Sequence, residues 1–260
     1  MLENFFYFTI KGNNCMKLHR KFFKALGYEI IKSKKHPTPG SHTINLINQY
    51  DIDLVLDVGA NTGQFAEKLR IDGYVGDIHS FEPVTATFQY LLDASNDDSK
   101  WHIHKKALSF EEGELEINIS ESSDLSSFLD ANVYGKDRFA QIKKSGSEVV
   151  DVSTVDVFLE KKIPNYRSRN IFLKMDIQGF DLQVFAGASK SINSIVCLLS
   201  ELSFTHIYDG MPHYLESLKR YEDSGFAVSG LFPICRKSKK DFTVVEMDCM
   251  MLNQSIQKLA

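Results

Sequence analysis

Apolar positions along the chain fall into two periods, and their order predicts a layered α/β architecture. Over 16–26, Leu18, Phe22 and Leu26 recur every four residues among basic positions and Gly27 follows, the pattern of an amphipathic helix with a stop. The segment KSKKHPTPGS breaks it, and a second short helix is expected over 41–50, with Ile44 and Ile47 on one face. From residue 51 the grammar changes. Leu54, Val55 and Leu56 read as a strand, DVGANTG as a turn, and the stretch carrying Phe65 and Leu69 as a helix. DIHSF and VTATFQYLLDA repeat the strand–helix pair, and WHIHKKAL reads as a third strand. After Gly113, Leu115, Ile117 and Ile119 alternate with polar residues, which predicts an antiparallel addition with one buried face.

The stretch 120–148 is rich in Ser, Asp and Lys, so loops and a short helix are expected there. EVVDV then reads as a strand leading to a helix capped near Thr154, and IFLKM as a strand leading to a helix near Phe180. SIVCLLSELSF supplies another buried strand and 212–223 a helix; FAVSGLFPI and DFTVVEMDCMML are two final strands, with the basic run at 237–240 as the solvated turn between them. Strands alternating with helices specify a three-layer α/β fold. Its sheet is mostly parallel with antiparallel additions, in a main domain over 51–260 behind an N-terminal helical extension over 1–50.

Composition narrows the function. A chain of 260 residues, 43% hydrophobic, can bury a sizeable core. Thirty basic against 34 acidic residues, net charge −4, give no footprint for a polyanion, so nucleic acid is not expected as a partner. Cys15, Cys197, Cys235 and Cys249 form no CxxC pair, so neither a zinc site nor a disulfide framework is expected, no metal is assigned, and a reducing cytoplasm fits best. The start MLENFFYFTI lacks a basic leader and does not read as a signal peptide, and no apolar run is long enough to span a bilayer. A homo-oligomer is left open.

In an open α/β sheet the ligand crevice lies beyond the carboxyl ends of the strands. Here the first strand–helix turn is Asp57-Val58-Gly59-Ala60-Asn61-Thr62-Gly63. A dinucleotide site would place a second glycine where Asn61 stands, so that a pyrophosphate rests on bare N–H groups. S-adenosylmethionine needs no such cradle. Asp57 is placed to meet its ammonium end, directly or through water, and Glu82, closing the second strand in an F-E-P motif, to accept from both ribose hydroxyls.

The run LDVGANTGQFA, FEPV, KKALSFEEGELEI, SSFL, TVDVFL, LKMDIQGFDLQVFAGA and ELSFTHIYDGMPHYLESLKRYEDSGFAVSGLFPI resembles the FkbM family of methyltransferases, in order, over 51–234. The resemblance implies a Rossmann-like methyltransferase fold, S-adenosyl-L-methionine as cofactor and O-methylation of a sugar, glycan or small-metabolite hydroxyl. It implies that Asp57, Gly59, Asn61, Gly63 and Glu82, with Ala60 and Pro83 beside them, hold the cofactor, and that Ala107, Leu108 and Ser127 approach the adenine or the sulfonium. The family's D-x-E/Q-G motif stands here as Asp176-Ile177-Gln178-Gly179.

Methyl transfer from a sulfonium releases a neutral thioether, so the protein must align the acceptor and manage one proton. Asp176, ending an apolar strand at the same sheet edge, is the first candidate to accept it; Glu201, ending the next strand, is the second, and His206 the third. An N-cap role for Asp176 is the plain alternative. His102 and His104 share a strand face but lack a third ligand at metal spacing. Two other functions stay open: an NAD(P)-dependent oxidoreductase, which would need the missing glycine and a proton relay, and a non-catalytic interaction module that kept the fold. An amine acceptor would use much the same pocket, so N-methylation is also open.

Overall fold

A computed structural model describes residues 21–28, 35–238 and 240–257. The chain forms two compact units, Met1–Thr38 and Pro39–Ala260. In the first, residues 21–25 are helical and Phe22 and Leu26 are exposed. The rest of the helix expected over 16–26, and the apolar start, lie outside the described residues.

The second unit opens with α1 (Pro39–Gln49), whose Leu46 and Ile47 are buried. Although the sequence reading groups 39–49 with the extension, these side chains join a core cluster of the second unit. There follow β1 (Leu54–Val58), α2 (Gln64–Ile71), β2 (Asp77–Phe81), α3 (Thr85–Ser95), β3 (Trp101–His104), β4 (Ala107–Leu108) and β5 (Gly113–Ser120). After α4 (Val133–Arg138) come β6 (Lys144–Ser153), α5 (Val155–Lys162), β7 (Ile171–Met175), α6 (Asp181–Ala186), β8 (Ile195–Ser203), α7 (Tyr214–Asp223), β9 (Phe226–Arg236) and β10 (Val244–Asn253).

Seven strands form one sheet in the order β3-β2-β1-β7-β8-β10-β9. β1 and β7 are buried along their whole length, as strands covered on both faces must be, and pair in parallel, Asp57 opposite Lys174. β10 runs antiparallel to both of its neighbours, so the last strand of the chain inserts between β8 and β9. One face carries Leu46 and Ile47 of α1, Ala66 and Leu69 of α2 and Leu91 of α3; the other carries Phe158 and Leu159 of α5, Val184 and Phe185 of α6 and Tyr221 of α7. This is the expected three-layer, mostly parallel α/β fold. The strand order reverses between β1 and β7, and a crevice opens at their carboxyl ends.

Three local expectations are corrected. WHIHKKAL is two strands in two sheets: the chain breaks after His104, where the Lys106 amide donates back to the His104 carbonyl at 2.9 Å, and β4 pairs with β6 instead. The strand read as EVVDV begins at Lys144 and forms, with β4 and β5, a second three-stranded sheet. In β5 only Ile117 of the three alternating residues is buried, and Leu115 is exposed. Thr154 caps α5 as expected, its hydroxyl accepting from the Val157 amide at 3.0 Å.

Candidate active site

The turn after β1 is shaped by left-handed backbone at Gly59 (φ 75°), Asn61 (φ 50°) and Gly63 (φ 99°). A Cβ on Gly59 would stand 2.0 Å from the Asp176 carbonyl oxygen, so the loop and the end of β7 touch backbone to backbone. The Gly59 and Ala60 amides donate to the Phe81 carbonyl at 3.1 and 3.0 Å, and the Gly63 amide to Ala60. Glu82, one residue past β2, accepts from the Asn61 amide through Oε2 at 3.0 Å and from the Val84 amide through Oε1 at 2.9 Å. Burial pushes its carboxyl up to about 7, against the pull of these two donors.

Beneath this loop Asp57 is fully buried. Its Oδ2 accepts from Ser80 at 2.9 Å, and Ser80 in turn accepts from the Trp101 indole at 2.9 Å. Its Oδ1 lies 3.0 Å from Lys174 Nζ, which also donates to the Gly59 carbonyl at 2.7 Å and stands 3.5 Å from Asp176 Oδ2. Burial disfavours the charge on Lys174, but the Asp57 and Asp176 carboxylates outweigh it and hold the ammonium above its usual range. Lys174 was missed from sequence, although a lysine inside IFLKM, in register with Asp57, is a charge that needs a buried partner.

Asp176 follows β7, its amide donating to the Val58 carbonyl at 3.1 Å and its side chain 43% exposed at the mouth of the crevice. It caps no helix. The acid that ties down the next turn is Asp181, which accepts from the Ile177 amide, the Ser200 hydroxyl and the Glu201 amide. Gln178 sits in left-handed backbone (φ 51°), with its carbonyl accepting from the Ser127 hydroxyl at 2.8 Å and its side-chain amide donating to Glu201 at 3.1 Å.

These elements enclose a cleft of about 70 Å³, whose wall includes Gly59, Asn61, Glu82, Pro83, Asp176 and Gln178. The turn at Ser123–Leu125 borders it, and the Ser123 hydroxyl donates to Asn61 Oδ1 at 3.0 Å. Of the other expected residues, Asp57, Ala60 and Gly63 do not line the cleft. Ala107 and Leu108 are buried in β4, and Ser127 reaches the cleft only through the Gln178 carbonyl. Glu201 is half-buried beside Gln178; His206 lies further on, its ring 5.8 Å from that of His213 and its Nε2 without a hydrogen-bond partner among the described residues.

The donor set discriminates between ligands. Glu82, Asp124 and Asp176 line the cleft, and among the described residues no Lys, Arg or His does. The amides of Gly59, Ala60, Asn61 and Gly63 are all engaged within the protein, so these four are not available to a pyrophosphate. A ligand with a sulfonium and an ammonium group fits this lining. Among the described residues no group of three His, Cys, Asp or Glu side chains is arranged to hold a metal ion.

No curated protein matches the chain. Among solved structures, it is similar to an rRNA methylase from Streptococcus thermophilus at 9% identity, covering 84% of this chain and 98% of that one with a TM-score of 0.44. It is also similar to the methyltransferase domain of bacterial CtHen1, at 8% identity, covering 82% and 96% of the two chains with a TM-score of 0.42. Residues 57–227, more than half of the chain and including every residue named on the cleft wall, match the Methyltransferase FkbM domain, and the chain belongs to the FkbM family of methyltransferases.

Proposed function

We propose that the protein transfers a methyl group from S-adenosyl-L-methionine to a hydroxyl oxygen of a sugar, a glycan or a small metabolite. The observation that carries this reading is the switch-point cleft lined by carboxylates, which suits a cationic ligand and works against the pyrophosphate of a dinucleotide. Glu82 and the Gly59–Asn61 backbone would hold the cofactor, Glu82 through the lone pairs its two amide bonds leave free; Asp57 and Lys174 would fix that loop from below. When bound, the sulfonium supplies an electrophilic methyl group and leaves as a neutral thioether.

The chain's own task is then orientation and one proton. Asp176, exposed at the cleft mouth, accepts the acceptor's hydroxyl proton as oxygen takes the methyl group, with Glu201 second and His206 third in order of candidacy. Alignment contributes about 7 to 11 kcal/mol in favourable systems, and a positioned base about 10² to 10⁴ in rate. The acidic cleft and net charge of −4 work against a nucleic-acid acceptor. The reaction is assigned to residues 51–260. Cys197, Cys235 and Cys249 are free thiols, in keeping with a reducing cytoplasm, and no helix among the described residues is long and apolar enough to cross a membrane.

The test is calorimetric titration with S-adenosylhomocysteine and, separately, with NAD and NADP. Micromolar binding of the first alone is expected and opens an acceptor screen beginning with sugars; a folded protein that ignores it, or prefers NAD, removes the proposal.

A further inference from the structure

We propose that the acceptor carries an ammonium group, held beside Asp176 by a carboxylate patch that Glu201, Glu246 and Asp248 build across strands β8 and β10. This rests on the methyltransferase reading and adds the chemical class of its acceptor.

In the β8–β10 ladder Asp248 stands opposite Glu201 and Glu246 opposite Ser203. Side chains two apart on a strand, and directly opposite across strands, share a face, so these four form one polar patch. It lies on the face of Lys174, which pairs with Leu199 two positions before Glu201. Gln178 joins the patch to the cleft, since it lines the cleft and donates to Glu201 Oε2 at 3.1 Å.

Acidic side chains directly across a ladder repel and are not kept for stability. Nor do nearby cations resolve the patch: Lys174 is engaged by Asp57 at 3.0 Å and by the Gly59 carbonyl at 2.7 Å. Two buried atoms point to a missing partner. Glu246 is 7% exposed and its Oε1 has no hydrogen bond among the described residues; Ser203, opposite it, is 2% exposed and its hydroxyl has none either. Buried polar atoms of this kind call for a ligand or ordered water. Burial and the surrounding carboxylates push Glu246 up to about 7 and Asp248 to about 6, the state of acids that would release protons to solvent as a cation arrives.

A primary ammonium offers one positive charge and up to three N–H donors, which suits a patch that presents carboxylates and an unpartnered hydroxyl. An anionic acceptor would be repelled, and no metal-binding group is present among the described residues. Held as a cation, the nitrogen has no lone pair to attack the sulfonium. The methyl group therefore goes to a neighbouring hydroxyl oxygen, whose proton passes to Asp176.

The experiment measures, on the full chain saturated with S-adenosylhomocysteine at pH 7, binding of glucosamine, N-acetylglucosamine and glucuronate, with ethanolamine and ethylene glycol as a second pair free of the sugar skeleton. Each amine is expected to bind at least about tenfold more tightly than its neutral partner, with glucuronate weakest. Glu246→Gln and Asp248→Asn should each remove most of that preference while S-adenosylhomocysteine affinity stays within about twofold. Equal binding of amine and neutral probes, absence of amine binding, or a preference untouched in both folded variants overturns the proposal. Loss of S-adenosylhomocysteine binding by the unaltered protein instead overturns the methyltransferase reading beneath it.

Discussion

At the scale of single residues the site rests on one buried ion pair. Removing one partner of such a pair leaves an uncompensated charge and costs about 3–5 kcal/mol, whereas removing both costs far less. Lys174→Met should therefore lower the unfolding midpoint sharply, and adding Asp57→Asn should restore most of it; denaturant titration of the two single variants and the double variant checks this, and additive losses would contradict it. Roles above the pair should separate by measurement. Glu82→Ala weakens S-adenosylhomocysteine binding because the Asn61 amide loses its acceptor, whereas Asp176→Asn lowers turnover by about 10²-fold or more with little change in that affinity. Equal affinity losses in both would erase the division. Glu82 and Asp176 were legible because each directly follows an apolar run where its strand stops, and Asp57 because it stands between the apolar run at 54–56 and the glycine turn. Lys174 was not, because its partner lies 117 positions upstream and only the β1–β7 register brings them together.

At the scale of elements, the strand–turn–helix units from β1 to α3 and from β7 to α6 were readable, since their apolar runs and glycines are local signals. The split between β3 and β4 was not: the apolar alternation runs on through WHIHKKAL, and β4 leaves the main sheet only because Ala107 and Leu108 pair with Val152 and Ser153. The start of β6 at Lys144 escaped notice for a related reason, the first half of the strand being mostly exposed and carrying no apolar pattern. Within 120–148, where loops and a short helix are expected, one turn borders the cleft. The turn at Ser123–Leu125 is tied to the cofactor loop by the Ser123–Asn61 hydrogen bond and, through the Leu125 carbonyl, to the Tyr208 hydroxyl at 2.8 Å. Ser123 and Asp124 stand on the cleft wall, so the position of this turn sets the width of the entrance. Ser123→Ala removes a hydrogen bond worth about 1 kcal/mol and should speed S-adenosylhomocysteine association about fivefold. Stopped-flow fluorescence of the Trp101 signal measures the rate, and an unchanged rate would show the turn already open.

At the scale of the whole molecule two buried groups of titratable side chains pull stability in opposite directions with pH. His79 and His104 share a hydrogen bond of 3.0 Å and pack on Phe158, and burial first, then neighbouring histidine charge, pushes them down to about 3 and about 4. Between those values and the ordinary histidine pKa of about 6.5 the unfolded chain binds more protons, so their contribution is full above about 6.5 and is lost on acidification. The carboxyls behave inversely. Glu82 and Glu246 are pushed up to about 7, and Asp181 and Asp248 to about 6, by burial above all. The folded chain therefore holds extra protons over the ordinary carboxylate range, and stability falls as pH rises through those values. Four such acids outweigh two histidines, so thermal melts of the ligand-free protein should give a higher midpoint at pH 5.5 than at pH 8. Glu246→Gln should raise the pH 8 midpoint by about 2–4 °C and leave the acidic one nearly unchanged, whereas His79→Phe should flatten the decline below pH 6. A midpoint that climbs steadily from pH 5.5 to pH 8, insensitive to Glu246→Gln, would mean that the patch on β8 and β10 is neutralised within the protein itself and has no charge left to offer an acceptor.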